Sequence, residues 1–451
     1  MVVASTATMT AEEIVALCKQ YTLFEWTAQV NANPIPVVRA KGVYFWDANG
    51  KRYLDFNSQL MCVNIGHGDE RVIRAIQEQA ERLLYANPFL ATEPRARLGQ
   101  MLAELAPGDL NHTFFTLGGA EANENAIKIA RMVTGRHKII ARYRSYHGAT
   151  HGAVTLTGDP RRWAAEPAIP GVVRVFDPYR YRCPFCKHQP ACTLDCLNHI
   201  EEVIMYEGPQ NIAAVFIETV TGTNGLIIPP DGYLPGLRAL CDKYGILLIC
   251  DEVMSGFGRT GEWFAVNHWN VVPDIMTLAK GLTSAYLPLG AVMVNDRIAD
   301  YFQNNVLWSG LTYNSHPMGL AAAIATINVY KEDNLIENAR RMGKILGEEL
   351  ERLKAKHPSV GDVRYIGLFA IVELVKNRET REPLVPFNAK PAEMGVMNQL
   401  GAFFRENGLY TFLRWNNFFC NPPLCITEEQ LREGIAIIDR GLEITDRAVE
   451  A

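Results

Sequence analysis

The sequence predicts an α/β protein built on a mostly parallel sheet, and three observations carry that expectation. Five short apolar runs, at 138–141, 213–218, 246–251, 274–279 and 290–294, contain IIA, AVFIE, ILLICD, IMTLA and GAVMV. They are continuous rather than alternating, as expected for strands buried on both faces. Between them lie segments with apolar residues at helical spacing. Ala120 to Thr134 stops at Gly135, and Leu234 to Tyr244 stops at Gly245, each glycine being suited to a left-handed helix cap. Strand–helix alternation of this kind builds parallel sheets.

The two ends read differently. Residues 43–56 (VYFWDANGKRYLDF) predict two strands around an Ala-Asn-Gly turn. Residues 335–356 predict a long amphipathic helix, with Leu335, Ala339, Met342, Leu346, Leu350 and Leu353 on one face. Thr427 with Gln430 forms a capping box for a last helix running to about Arg447. The plan is a large domain over 76–325, with 1–75 and 326–451 meeting as a smaller α+β domain.

A chain of 451 residues exceeds one compact core. Its 44 Lys+Arg against 49 Asp+Glu give a net charge of −5, which argues against nucleic acid as partner. No apolar run approaches the roughly 18 residues of a membrane span. Met1 to Thr10 lacks the basic and apolar regions of a signal peptide. Ten cysteines are too sparse for a disulfide scaffold. The expectation is a soluble, reduced, cytoplasmic protein.

Gly256-Phe-Gly258-Arg-Thr-Gly261 matches G-x-G-x-x-G literally. A dinucleotide site needs the first glycine directly after a strand and a helix after the third. Four residues separate Asp251 from Gly256, and EWFAVNHWNVVP follows without a helix cap. These glycines therefore predict a loop.

Four features fall where open α/β sheets bind ligands. Gly118-Gly119-Ala120 opens a helix whose free N–H groups suit an anion; a flexible loop is the plainer alternative. Asp251 ends an apolar strand, and a buried carboxylate there needs a cationic partner such as a protonated ring nitrogen. Lys280 follows IMTLA, where desolvation favours amine chemistry, although lysines at strand ends also snorkel. Ser145-Tyr146-His147-Gly148 places an aromatic face beside the same cleft. A phosphate cradle, an acid, an amine nucleophile and an aromatic platform together meet the needs of pyridoxal phosphate.

At this point the chain resembles the class-III aminotransferases of the fold-type-I pyridoxal-phosphate superfamily, over nearly its whole length. The strings are 119–124 (GAEANE), Tyr146-His147-Gly148, Asp251-Glu252-Val253, 256–261, Ala279-Lys280-Gly281 and 312–317 (TYNSHP). Within the family it is most similar to the amine and ω-amino-acid transaminases, including taurine–pyruvate and β-alanine–pyruvate enzymes. The resemblance implies that Lys280 binds pyridoxal 5′-phosphate and shuttles a proton. It implies that Asp251 holds the pyridinium proton, and that Tyr146 and Val253 pack on the two ring faces. Gly119 and Ala120 would hold the phosphate, completed by Thr312 of a neighbouring subunit, hence a homodimer with shared sites. His147 and Glu218 join the cofactor contacts.

Departures bear on the substrate. Many 2-oxoglutarate-using relatives carry Arg directly after the Tyr/Phe-His-Gly string; here Ala149 stands there, which favours pyruvate as acceptor. Met254 replaces a Gln common after Asp-Glu-Val, and Ala120 a common Ser. Arg414 is the expected carboxylate binder. Tyr146, Thr223, Phe24, Trp26, Met61 and Phe89 are the expected substrate contacts. The function implied is amine transfer from an amine or ω-amino acid (taurine, β-alanine or arylalkylamine type) to pyruvate. A decarboxylase or aminomutase on the same fold, and a zinc-organised binding protein on an inactive one, are the alternatives.

Cys183, Cys186, Cys192 and Cys196, with His188 and His199 nearby, match thiolate zinc spacing in the first pair and loosely in the second. Related transaminases carry Cys-rich insertions here without a metal in their mechanism. No metal is assigned to the mechanism, and the thiols are left as zinc-bound, paired or free.

Overall fold

The computed structural model describes residues 9–186 and 191–449. His188, and residues 1–8 on which most of the leader-peptide reading rests, lie outside the described residues. A seven-stranded sheet forms the centre, in the order 112–116, 290–294, 275–278, 247–251, 212–218, 138–142 and 172–175. Gly290–Val294 runs antiparallel to both of its neighbours. The pairings from Ile275–Leu278 through Val172–Val175 are all parallel. Every residue of the strands Ile212–Glu218, Leu247–Asp251 and Gly290–Val294 is buried, as their unbroken apolar runs require.

The predicted helices form as Gly119–Thr134 and Tyr233–Tyr244, and Gly135 and Gly245 close them with φ of 64° and 61°. Two edge strands, His112–Thr116 and Val172–Val175, escaped the sequence reading because their half-buried residues give no continuous apolar run. Helix Pro317–Glu332 was also missed. Nine of its sixteen residues are buried, so no polar face marks it as amphipathic.

Outside the central sheet the chain ends interlock. Strands Val37–Lys41, Tyr44–Asp47 and Arg52–Asp55 form a small sheet, which the late strand Leu409–Tyr410 joins in parallel to Arg52–Asp55. Leu409 pairs with Leu54 and Tyr410 with Asp55. A second sheet runs in the order 360–366, 369–377, 417–420 and 413–414. Helix Leu335–Lys356 buries its predicted stripe against this sheet and against helix Glu428–Asp446. The last helix opens on the predicted capping box, with both reciprocal bonds made.

The 256–261 loop is a turn, with Phe257 N–H bonded to Trp263 O and Gly258 N–H to Glu262 O. Its Arg259 is fully buried. It donates to Leu368 O, Pro422 O, Ser58 Oγ and Asn64 Oδ1 at 2.7–3.0 Å. One side chain thus ties both chain ends to the central sheet. Among the described residues no helix is long and apolar enough to cross a membrane.

Candidate active site

Three neighbouring strands end level with one another. Glu218 is the register partner of Asp251, and Asp251 of Thr277, so these side chains rise from one carboxyl edge at about the 4.8 Å strand spacing. Lys280 lies three residues past Thr277, with φ of 42°. That left-handed backbone is disfavoured for a residue with a side chain, and such strain gathers at functional positions. Among the described residues no hydrogen bond or ion pair holds its Nζ.

Asp251 is buried. Its Oδ2 accepts from Asn123 Nδ2 at 2.8 Å and contacts His147 Nδ1 at 2.8 Å, while Oδ1 accepts from Val253 N–H. Asn123 also donates to His147 O, closing a rigid triangle. Glu218 accepts the N–H groups of Tyr146 and Gly222. Burial pushes its carboxyl above the usual range, with His147 pulling the other way.

The helix Gly119–Thr134 points its N-terminus into the same cleft. Gly118 has no side-chain cap, and the first helical bond runs from Ala122 N–H to Gly118 O. Among the described residues, the N–H groups of Gly119 and Ala120 therefore have no protein partners. A Cβ on Gly119 would stand 2.8 Å from Val253 Cγ1, and one on Gly148 would stand 2.5 Å from Ala120 Cβ. A Cβ on Gly118 would meet nothing within 4 Å, because it would project into the cleft itself.

At the opposite end stands a residue the sequence reading missed. Arg161 lays its guanidinium 3.7 Å over the Tyr146 ring. Its Nε and Nη2 bond to Asp159, and Nη2 also to Thr223 Oγ1 at 2.9 Å. Arg414 reaches the same Asp159 Oδ2 at 3.0 Å and lies 4.0 Å over Trp415. Two guanidiniums thus share one buried carboxylate, and among the described residues Arg414 Nε is buried with no partner. Burial pushes Asp159 up, but Arg161 and Arg414 outweigh it and hold the carboxyl below its usual range. Burial, then the like charge of Arg161, pushes Arg414 down to about 10, so it stays charged at neutral pH.

These groups line one cleft of about 710 Å³, a volume typical of small-molecule sites. It gathers the expected Gly119, Ala120, Tyr146, His147, Glu218, Asp251, Val253, Lys280, Met61, Thr223, Trp26 and Arg414. Three expectations fall outside the chain's own cleft. Phe89 is 98% exposed, because Asn87 Oδ1 caps its N–H and turns the loop outward. The Phe24 backbone is held by two hydrogen bonds, its N–H donating to Gln29 Oε1 and its carbonyl accepting from Gln29 Nε2, and Glu25 and Trp26 line the cleft instead. Thr312 is exposed, its carbonyl accepting from the Tyr85 hydroxyl.

The pattern of the family Aminotransferase class-III matches residues 27–442. This chain belongs to the class-III aminotransferases. A taurine:2-oxoglutarate aminotransferase from Bifidobacterium kashiwanohense, solved with PLP and glutamate, superposes with a TM-score of 0.94 at 44% identity, covering 98% of this chain and 99% of that one. An (S)-enantioselective ω-transaminase from Thermomicrobium roseum superposes at 0.90 and 39% identity, over 97% and 99% of the two chains. A taurine–pyruvate aminotransferase of Bilophila wadsworthia is 35% identical over 96% of this aminotransferase and 98% of its own length.

Proposed function

We propose that this aminotransferase moves the amino group of an ω-amino acid or related amine to pyruvate, with pyridoxal phosphate as cofactor. The observation that carries the substrate reading is the pair Arg161–Arg414 around a single carboxylate. Asp159 and Glu25 balance the two charges at that end, but among the described residues Arg161 Nη1 and Arg414 Nε keep N–H donors without protein partners, which suits a carboxylate or sulfonate carried away from the reacting amine. The names of the taurine and ω-transaminase relatives support it.

The residues present fit the cofactor. Gly118 leaves the space of a side chain open at a helix N-terminus whose first N–H groups are unpartnered, which suits a phosphate. Asp251 is fixed by three hydrogen-bonding neighbours at the end of its strand. When bound, pyridoxal phosphate supplies a ring that draws in negative charge from the carbon losing its proton. Asp251 would hold a proton at the ring nitrogen, with His147 and Asn123 keeping its carboxylate aimed. Lys280 Nζ would bind the cofactor and hold or move the proton at the substrate carbon. Tyr146 and Val253 confine the ring faces. Arg414 grips the acceptor carboxylate and turns aside for an apolar donor.

We also infer that 1–75 and 326–451 form one small domain around the 76–325 core, a division that the Leu409–Tyr410 strand joining the N-terminal sheet supports. A homodimer would cover exposed Phe89, Trp308 and Tyr313, and the Tyr85–Tyr313 ring contact at 6.2 Å joins the loops around residues 85 and 313. Thr312 lies beside Tyr313, where it would complete the partner's phosphate site. All ten cysteines are unpaired thiols, which suits a reducing cytoplasm.

A second reading has an observation of its own. Ala149 removes one expected guanidinium, but Arg161 brings another to the cleft, where it suits the distal carboxylate of 2-oxoglutarate. The test is turnover of one donor with pyruvate and 2-oxoglutarate in parallel. Faster turnover with pyruvate is expected; faster turnover with 2-oxoglutarate overturns the acceptor assignment and leaves the donor assignment standing.

A further inference from the structure

Cys183, Cys186, Cys192 and Cys196 lie far along the chain from every residue of the cleft, yet they converge. All four line one small cavity of about 10 Å³, together with Pro178, Arg180, Ala191 and Pro230. That is room for about one water-sized sphere. The segment Cys183-Pro184-Phe185-Cys186 forms a tight knuckle, in which the N–H groups of Phe185 and Cys186 both point at Cys183 Sγ, the latter at 3.4 Å. Cys186 Sγ receives the Thr193 N–H and lies 3.3 Å from Thr193 Oγ1. The Cys186 thiol also contacts those of Cys183 and Cys192. Cys196 stands buried in the first turn of helix Asp195–Glu207, on the wall of the same cavity.

We propose that these four thiols are a structural site for one zinc ion. The ligand order is C-x₂-C-x₅-C-x₃-C, and both pairs fall within the two-to-four-residue spacing of thiolate knuckles. Among the described residues no three His, Cys, Asp or Glu side chains are already grouped as a metal would hold them. The ion therefore draws the sulfurs inward by rotation of short side chains, and the displaced thiol protons go to solvent. Four thiolates form a soft, closed tetrahedral set, which selects zinc over calcium or magnesium and leaves no open position for catalysis.

The place of the site in the fold gives it a task. Four residues and one residue upstream of Cys183, Tyr179 and Arg182 hold Glu373 on strand Phe369–Asn377, with Arg182 Nε at 2.6 Å. Arg381 returns a bond to Tyr181 O. That strand belongs to the sheet that ends in Arg414. A zinc ion at the knuckle would fix the segment on which this sheet docks, without touching the chemistry.

The test is metal analysis of the full-length, untagged protein, purified under reducing conditions and dialysed against a weak chelator. About one zinc per chain is expected, released when a mercurial titrates the thiols. The double variant Cys183→Ser/Cys196→Ser should carry less than about a tenth of that and melt at lower temperature. Should the variant fail to fold, cobalt exchange into the wild-type protein decides: the site gives intense thiolate-to-cobalt absorption that zinc abolishes. Zinc well below one per chain that added zinc does not restore, a disulfide among these cysteines in the purified protein, iron in place of zinc, or zinc retained by a folded double variant would each overturn the proposal.

Discussion

Arg161→Leu removes one of the two guanidiniums that share Asp159. Nε and Nη2 of Arg161 are engaged by Asp159 and Thr223, whereas Nη1 has no partner among the described residues. A substrate anion at this end would gain a charge-assisted hydrogen bond of about 1.5–3 kcal/mol, or about 10- to 150-fold in kcat/KM. The substitution also strips a cation from the Tyr146 ring, an effect of about 0.5–2 kcal/mol. That loss is common to every donor and cancels in a ratio. The assay is kcat/KM for β-alanine and for propylamine with the same acceptor, in both proteins. The β-alanine value should fall by about 10- to 150-fold relative to propylamine, and Arg161→Lys should recover part of it, since it keeps the charge and loses the fork. Equal losses for both donors would refute the reasoning and leave Arg161 as a brace for Tyr146; so would no loss at all.

Other consequences are as specific. Gly118→Val places a side chain where the protein offers no obstacle, so the fold should melt normally while cofactor affinity, read by equilibrium dialysis, weakens by about tenfold or more. Arg259→Met leaves four buried or half-buried acceptors without their donor and should cost about 2–4 kcal/mol in denaturant unfolding at fixed protein concentration. Asp439 sits among Lys356, His357 and Arg352. Burial pushes its carboxyl up, but these partners outweigh that and hold it at about 2. Its folded pKa is below the unfolded one, so its stabilisation is present above about pH 4 and lost as pH falls toward 2. Asp439→Asn should flatten the fall in stability between pH 5 and 2 by about 1–2 kcal/mol after allowance for screening.

The parts of the fold legible in the sequence were those set by local, repeated physics. Buried parallel strands must be apolar at every position, so the Asp251 and Glu218 strands stood out, and glycine caps at 135 and 245 fixed two helix ends. Helix Pro317–Glu332 was hidden because burial on nearly all sides erases its periodicity. At the site, Lys280, Asp251 and Gly119 were visible from their places after strands and before a helix. Arg161 was not, since TGDPRRW carries no pattern, and its role comes from the convergence of Tyr146, Asp159 and Thr223 from distant points in the chain. Phe89 stands outside the cleft of its own chain. A large apolar residue reads as a wall, but its loop turns it away from the cleft of its own chain.

The central claim is that Lys280, unpaired at the mouth of its strand, is the residue that binds the cofactor. Borohydride reduction of the protein saturated with pyridoxal phosphate, followed by peptide mapping, tests it most directly. The pyridoxyl mass is expected on the peptide containing Lys280, at about one label per chain, and is expected to be absent from Lys280→Ala. A label on any other lysine, or an equal yield in Lys280→Ala, would contradict it.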